Sequence, residues 1–355
     1  MSPIRIRALI MAGGTGGHVF PALAIAERLR ELGHETDWLG TDEGIEARLV
    51  PPTGIRLHRI RMRGLRGKGW LRLLMAPFQL LAATWQAIGV IRRSAPDVVL
   101  GMGGYVAAPG GLAARLLGRP LVIHEQNAAA GMTNKLLSRL AARVLLGFDG
   151  ALPGGETVGN PVRTAFAALP PPAARYDGRS GPVRVLVVGG SQGARALNHW
   201  VPRALAVLGV EADIRHQGGR TVEIARRSYA EVGVDARIEE FIDDMPGAYA
   251  WADLVICRAG AMTVAELAAS GCAALFVPFP AAVDDHQTRN AAALVEAGAA
   301  ELIQERDISE QRLAQVLGPL LRDRRKLAAM AVKARGFARP DALQRITSVC
   351  LELAA

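Results

Sequence analysis

The sequence predicts an α/β protein made of two doubly wound domains of parallel sheet covered by helices. Three observations carry this. Short apolar strands alternate with helical stretches through both halves, which is the βαβ pattern. A strand, a Gly-Gly-x-x-Gly turn and a helix occur twice, at Arg5–Gly17 and again at Val183–Gly193. The length of 355 residues is enough for two proper cores.

The first strand is Ala8-Leu9-Ile10-Met11. It runs into Gly13-Gly14-Thr15-Gly16-Gly17-His18, and apolar residues at Ala22, Ile25, Ala26, Leu29 and Leu32 then mark a helix that stops at Gly33. Glycines on a strand-to-helix turn let the backbone approach a ligand, and the free N–H groups of the first helical turn attract anions. A histidine at the end of such a loop is placed to act on whatever it holds. The dinucleotide fingerprint Gly-x-Gly-x-x-Gly is absent, which argues against a nicotinamide oxidoreductase.

Charge is uneven. Residues 1–163 hold 20 Lys and Arg against 11 Asp and Glu, whereas the remainder has 22 of each. Ten basic residues and no acid lie between Ala47 and Pro96: Arg48, Arg56, Arg59, Arg61, Arg63, Arg66, Lys68, Arg72, Arg92 and Arg93. Such a block faces something anionic, whether phosphates, nucleic acid or acidic lipid. No nucleic-acid motif or aromatic-rich basic surface supports a nucleic-acid partner. Within the block, Leu73 to Ile91 is uncharged, but Pro77, Gln79, Thr84, Gln86 and Gly89 interrupt it and argue against a membrane span. Two readings stay open: a buried helix, or a peripheral patch whose apolar residues dip into a bilayer beside the arginines.

Further strands are expected at Asp97–Leu100, Leu121–Ile123, Val185–Val188, Leu254–Ile256 and Ala274–Val277. Each is followed by unusual residues, and ligands of doubly wound sheets bind at carboxyl ends of strands. Gly101-Met102-Gly103-Gly104-Tyr105 is a second glycine loop, and the pair suggests a pyrophosphate cradle. His124-Glu125-Gln126-Asn127 places four polar residues at a strand end. Gly189-Gly190-Ser191-Gln192-Gly193 is an anion-binding turn in which Ser191 can donate to phosphate. Thr263 and Glu266 have the spacing of a capping box; the alternative is that Glu266 accepts ribose hydroxyls. Asp284 and Asp285 are read as helix-capping residues in preference to metal ligands. Gln287 and Asn290 share a helix face and suit sugar hydroxyls.

The Pro- and Gly-rich run from Leu169 to Pro182 is the expected linker, with the crossover near Gly159–Arg163. Cys257, Cys272 and Cys350 have neither metal nor disulfide spacing and fit a reducing compartment, and the short N-terminal apolar run is not a signal peptide.

These motifs, with Gly159-Asn160-Pro161-Val162-Arg163, Phe241-Ile242-Asp243-Asp244-Met245 and Cys257-Arg258-Ala259-Gly260-Ala261, occur in one order. Over nearly the whole chain they resemble the MurG family of bacterial N-acetylglucosaminyltransferases. The resemblance implies the GT-B glycosyltransferase fold: two Rossmann-like domains facing a central cleft. It implies residues 1–162 as the acceptor and membrane-facing domain, residues 163–340 as the donor domain, and a C-terminal helix 341–355 packing back on the first. The implied reaction is inverting and uses no metal or cofactor. N-acetylglucosamine passes from UDP-N-acetylglucosamine to the 4-hydroxyl of N-acetylmuramoyl-pentapeptide on undecaprenyl pyrophosphate (lipid I), giving lipid II for peptidoglycan. A related GT-B enzyme with another lipid acceptor is the alternative.

By match, Arg163 and the Ile242 backbone hold the uracil end and Ser191 a phosphate. Ala261, Met262, Thr263, Val264 and Ala265 line phosphate and ribose, with Glu266 on the ribose; Gln287 and Asn290 contact the donor sugar. Thr15, Gly16, Gly17 and Asn127 complete that site. Gly13, Gly14, Gly103, Gly104 and Tyr105 face the acceptor pyrophosphate. His18 is the first candidate for the base that inversion needs, and Glu125 the second. The stretch Phe279–Asp285 departs from the family's more basic loop, so residues 280–286 receive no role; Ala259 stands where serine is common. The implied location is peripheral, on the cytoplasmic face of the inner membrane, with anionic lipids and cell-wall synthesis proteins as partners.

Overall fold

The computed structural model describes residues 5–62, 70–280 and 285–354. Arg63, Arg66 and Lys68 of the basic block, the side chains of Arg72, Leu73 and Leu74, and residues 281–284 lie outside the described residues. The chain divides into two compact units, Met1–Val162 with Pro340–Ala355, and Arg163–Arg339.

The first unit is a parallel sheet of seven strands: β1 Arg7–Met11, β2 Glu35–Gly40, β3 Arg56–Arg59, β4 Val98–Gly101, β5 Leu121–Glu125, β6 Arg143–Leu146 and β7 Glu156–Thr157. Their order is β3-β2-β1-β4-β5-β6-β7. The order reverses between β1 and β4, so the loops after these two strands flank the switch point where such sheets bind ligands. Those are the two glycine loops. The central strands β1, β4 and β5 are nearly continuous buried runs because helices cover both faces. The helix Gly16–Glu31 buries Val19, Ala22, Ile25, Ala26 and Leu29 on one side of the sheet. The C-terminal helix Ala342–Ala354 adds Ile346, Val349 and Cys350 to the same core. Its Arg345 forms a bidentate pair with Glu156, at 2.7 and 3.1 Å.

The second unit has six parallel strands: β8 Val183–Val188, β9 Ala212–Gln217, β10 Arg237–Glu239, β11 Leu254–Cys257, β12 Ala273–Phe276 and β13 Ala300–Leu302. Their order is β10-β9-β8-β11-β12-β13, with the switch point between β8 and β11. The repeat read in the sequence extends to side chains. Asp97, just before β4, accepts from the Arg7 N–H at 2.7 Å, and Asp253, just before β11, accepts from the Arg184 N–H at 3.0 Å. Each carboxylate pins the start of the central strand beside it.

The Pro-rich stretch is not a linker. Pro171 and Pro172 open a short helix, Pro172–Tyr176, inside the second unit. Arg175 from that helix donates to the carbonyl oxygens of Ser270 and Gly271, and to Tyr249 O at 3.1 Å. Proline fits the first turn of a helix as well as it fits a connection, and composition alone does not distinguish the two.

The helix Trp70–Ser94 has one buried face and one exposed apolar face. Ala83, Ala87, Val90 and Ile91 are buried, while Met75, Phe78, Leu81 and Trp85 form an exposed stripe at helical spacing, Trp85 being 76% exposed. Among the described residues no helix is long and apolar enough to cross a membrane.

Candidate active site

In the first unit the two glycine loops are packed backbone to backbone. Gly104 has φ +82°, and a Cβ there would stand 2.3 Å from the Gly13 carbonyl oxygen. No other residue allows that approach. Behind them lies a carboxylate that sequence reasoning missed. Glu46 is fully buried and accepts from Gly14 N and Thr41 N, both at 3.1 Å, and from the Thr41 hydroxyl at 2.9 Å. Tyr105 reaches the same cluster, its hydroxyl 3.2 Å from Thr41 Oγ1, and burial raises its pKa. The Gly14 N–H is therefore directed at Glu46. The N–H groups of Gly16 and Gly17, at the first turn of their helix, have no intrahelical acceptor. Thr15 is the N-cap residue, and its side chain makes no capping bond.

His18 sits in that first turn, half-buried, with its Nδ1 2.9 Å from Gln126 Oε1. Among the described residues its Nε2 has no hydrogen-bond partner. Glu125, by contrast, is buried and fully engaged. One oxygen accepts from the backbone and side-chain nitrogens of Asn127 at 2.9 and 3.2 Å; the other accepts from Gly131 N at 3.0 Å and Asn134 Nδ2 at 2.9 Å. Glu125 shapes the loop that carries Asn127.

In the second unit the loops after β8 and β9 interlock. Gly219, φ +60°, would place a Cβ 2.2 Å from Gly190 O. Asn198, a residue sequence reasoning passed over, ties them from below. Its amide donates to Gly218 O at 3.0 Å and to Thr221 O and Oγ1, both at 2.9 Å. Its Oδ1 meets His216 Nε2 at 2.9 Å, and His216 Nδ1 meets the Tyr229 hydroxyl at 3.1 Å. Burial pushes the His216 pKa down to about 3, so the ring is neutral. Ser191 is exposed at the top of this framework.

The turn after β11 opens the helix Ala261–Ser270, whose N-cap is Gly260 with no side-chain cap. This overturns the capping-box reading: Thr263 is already in the first turn and Glu266 in the second. Glu266 is instead partly buried beside the exposed Arg163. Desolvation pushes its pKa up to about 7, against the opposing pull of the Arg163 guanidinium. Two residues 103 positions apart in sequence are thus brought within electrostatic reach of each other. Arg163 also lies over the Phe166 ring, 5.0 Å from its centroid. Ile242 is buried just beyond β10.

Asn290 is buried and donates to Ala259 O at 3.1 Å, and Gln287 accepts from Phe279 N at 2.8 Å. Both therefore brace loops at the ends of β11 and β12. Asp285 is the N-cap of the helix His286–Glu296, but its side chain takes the Thr288 hydroxyl at 2.6 Å and makes no cap bond to the backbone. Among the described residues no group of three or more His, Cys, Asp or Glu could hold a metal ion.

Two parallel-sheet units, each ending in glycine loops and helix N-termini at its switch point, have the Rossmann-like architecture that binds nucleotides and other phosphorylated ligands. The Glycosyltransferase family 28 N-terminal domain matches residues 8–146 and the Glycosyltransferase family 28 C-terminal domain residues 184–346. The chain belongs to glycosyltransferase family 28. It is 58% identical over 349 residues to the UDP-N-acetylglucosamine--N-acetylmuramyl-(pentapeptide) pyrophosphoryl-undecaprenol N-acetylglucosamine transferase of Alkalilimnicola ehrlichii, covering 97% of this chain and 98% of that one. The Ralstonia nicotianae protein of the same name is 56% identical over 354 residues, with 98% and 96% covered. The crystal structure of Acinetobacter baumannii MurG superposes with a TM-score of 0.88 at 44% identity, covering 98% of this chain and 99% of that one.

Proposed function

We propose that this chain transfers N-acetylglucosamine from UDP-N-acetylglucosamine to the 4-hydroxyl of the N-acetylmuramoyl-pentapeptide of lipid I, giving lipid II. The observation that carries the reading is His18: an imidazole at a helix N-terminus, between two glycine loops, with one ring nitrogen held and the other open. The relatives that match end to end carry this activity in their names.

The nucleotide is taken by the second unit. Arg163 and the Ile242 backbone hold the uracil end, Glu266 the ribose hydroxyls, and Ser191 with the first turn of the helix Ala261–Ser270 the diphosphate. Gln287 and Asn290 keep the donor-sugar loops in place. The acceptor pyrophosphate lies against the glycine loops of the first unit. His18 Nε2 removes the proton of the 4-hydroxyl as that oxygen attacks C1 of the donor sugar. The C1–O bond to the diphosphate breaks on the opposite face, so the new link is β-1,4. Charge building on the departing UDP is met by preorganised N–H dipoles, with no step assigned to a metal. Glu125 is held by four donors and is assigned to shaping the Asn127 loop, which leaves His18 as the base.

The stripe Met75, Phe78, Leu81 and Trp85, with Arg61, Arg92 and Arg93 nearby in sequence, supports peripheral binding to the anionic cytoplasmic face of the inner membrane. Cell-wall synthesis proteins are the partners this location implies.

The test is transfer of radiolabelled N-acetylglucosamine to a short-chain lipid I analogue, with EDTA present and UDP-glucose as competitor. Transfer that survives both establishes donor, acceptor class and metal independence. No transfer, with UDP still bound, leaves the donor half standing and removes the acceptor assignment.

A further inference from the structure

Beside the candidate base lies a short chain of polar side chains that the reaction itself does not use. Gln126 is 1% exposed, and His124 is fully buried. The Gln126 Nε2 stands 3.0 Å from His124 O and 3.1 Å from His124 Nδ1, and its Oε1 stands 2.9 Å from His18 Nδ1. A carbonyl oxygen only accepts, so the end of the amide facing His124 O is its NH2 group. The orientation of the amide is thereby set, and its oxygen points at His18. That oxygen also only accepts, so His18 Nδ1 carries the hydrogen.

The far end of the chain agrees. His124 Nε2 meets Gly159 O at 2.9 Å and therefore donates, which leaves His124 Nδ1 as the acceptor for the second Gln126 hydrogen. This requires a neutral His124, and burial pushes its pKa down to about 4. The Gln126 backbone is anchored as well, its carbonyl accepting from Asn160 Nδ2 at 3.0 Å.

Resting on the assignment of His18 as base, we propose that Gln126 is a positioning residue that fixes the His18 tautomer, holding the proton on Nδ1 so that Nε2 keeps its lone pair for the acceptor hydroxyl. A free neutral imidazole side chain prefers the opposite tautomer, with the hydrogen on Nε2. Without Gln126 the open nitrogen of His18 would mostly be a donor, unable to take a proton. The role matches that of the carboxylate that orients the histidine in serine hydrolases, but it is filled here by a neutral amide whose own orientation is locked by a second histidine.

The decisive measurement needs no variant. Long-range 1H–15N correlation spectra of 15N-histidine-labelled protein at about pH 8, where an unperturbed imidazole is neutral, report which ring nitrogen carries hydrogen. His18→Gln assigns the signal by its loss. Wild-type His18 should be protonated on Nδ1. In Gln126→Leu the Nε2-protonated form should appear, with kcat lowered about 10- to 100-fold, within the range a general base contributes, and KM for UDP-N-acetylglucosamine unchanged. Hydrogen on Nε2 in the wild-type protein, or a Gln126→Leu variant with wild-type tautomer and kcat, overturns the positioning role and leaves the base assignment standing. Full turnover by His18→Gln overturns the base assignment on which the proposal rests.

Discussion

Glu266 should couple nucleotide affinity to pH, and the size of the effect follows from its surroundings. Desolvation holds its pKa at about 7. About a tenth of the unliganded protein then carries an ionised Glu266 at about pH 6, and about nine tenths at about pH 8. If the carboxylate accepts ribose hydroxyls, it must be ionised to do so at full strength, and UDP affinity rises about tenfold across that interval, equivalent to about 1.4 kcal/mol. UDP titrates its own phosphate in the same range, so the quantity to read is the ratio of dissociation constants between Glu266→Gln and the wild type. Calorimetric titration at several pH values should give a ratio about ten times larger at about pH 8 than at about pH 6. Stability runs the other way. The folded carboxyl holds its proton more tightly than the unfolded chain, so this contribution is fully present below about pH 4.5 and is lost as pH rises through about 7. A ratio that stays flat would refute the ribose assignment.

Four further outcomes are expected. His18→Ala should lower kcat about 10²- to 10⁴-fold while donor affinity stays unchanged, measured by steady-state transfer and by UDP titration. Gly104→Ala puts a methyl group on the Gly13 carbonyl at a left-handed backbone position, so transfer to the lipid I analogue should collapse while UDP binding persists. Asn198→Ala removes three donated bonds and strands the His216 N–H; it should cost about 3 kcal/mol in denaturant unfolding and weaken UDP. Phe78→Glu with Trp85→Glu should abolish sedimentation with anionic vesicles yet spare transfer to a water-soluble acceptor; retained sedimentation would remove the helix Trp70–Ser94 as the membrane contact.

The parts legible in the sequence were those with a period or a glycine signature. Apolar strands such as Val98–Leu100 and Leu254–Ile256 lie almost where alternation with helices places them. Two features misled because one local pattern serves two structures. Thr263 and Glu266 have capping-box spacing, yet Gly260 starts the helix three residues early. The run from Leu169 to Pro182 has linker composition, yet Arg175 inside it binds carbonyl groups almost 100 residues away. Glu46, Asn198 and the pairing of Gln126 with His18 were out of reach for a different reason. Gln126 stood in the polar run at the end of β5, but its partner His18 lies on another loop, and no spacing rule relates residue 14 to 46 or 18 to 126. Asn198 did leave a trace: it interrupts the buried face formed by Leu197, Val201, Ala204 and Leu205.

Both units solve the same problem at their ligand ends. A glycine loop that approaches a phosphate gives up side-chain packing, and its conformation must be fixed by neighbours. In the first unit the Glu46 carboxylate provides the fixing and in the second the Asn198 amide does, and each unit also holds an amide that meets a buried imidazole: Gln126 against His124, Asn198 against His216. Burial keeps both rings neutral, with pKa values of about 4 and about 3. A charged imidazole has two donors: the Gln126 NH2 group would then face an N–H where it now meets the His124 lone pair, and the Tyr229 hydroxyl would lose the acceptor it has on His216. Neutrality is therefore what gives each ring one donor, one acceptor and a defined direction. The two copies differ in what the amide does with that direction. Asn198 spends its NH2 group on the carbonyls of the loop after β9, whereas Gln126 turns its oxygen outward to a second histidine. The sheets and their aspartate clamps repeat; the reversal of one amide is what separates a braced loop in the second unit from the imidazole contact proposed to orient a base in the first.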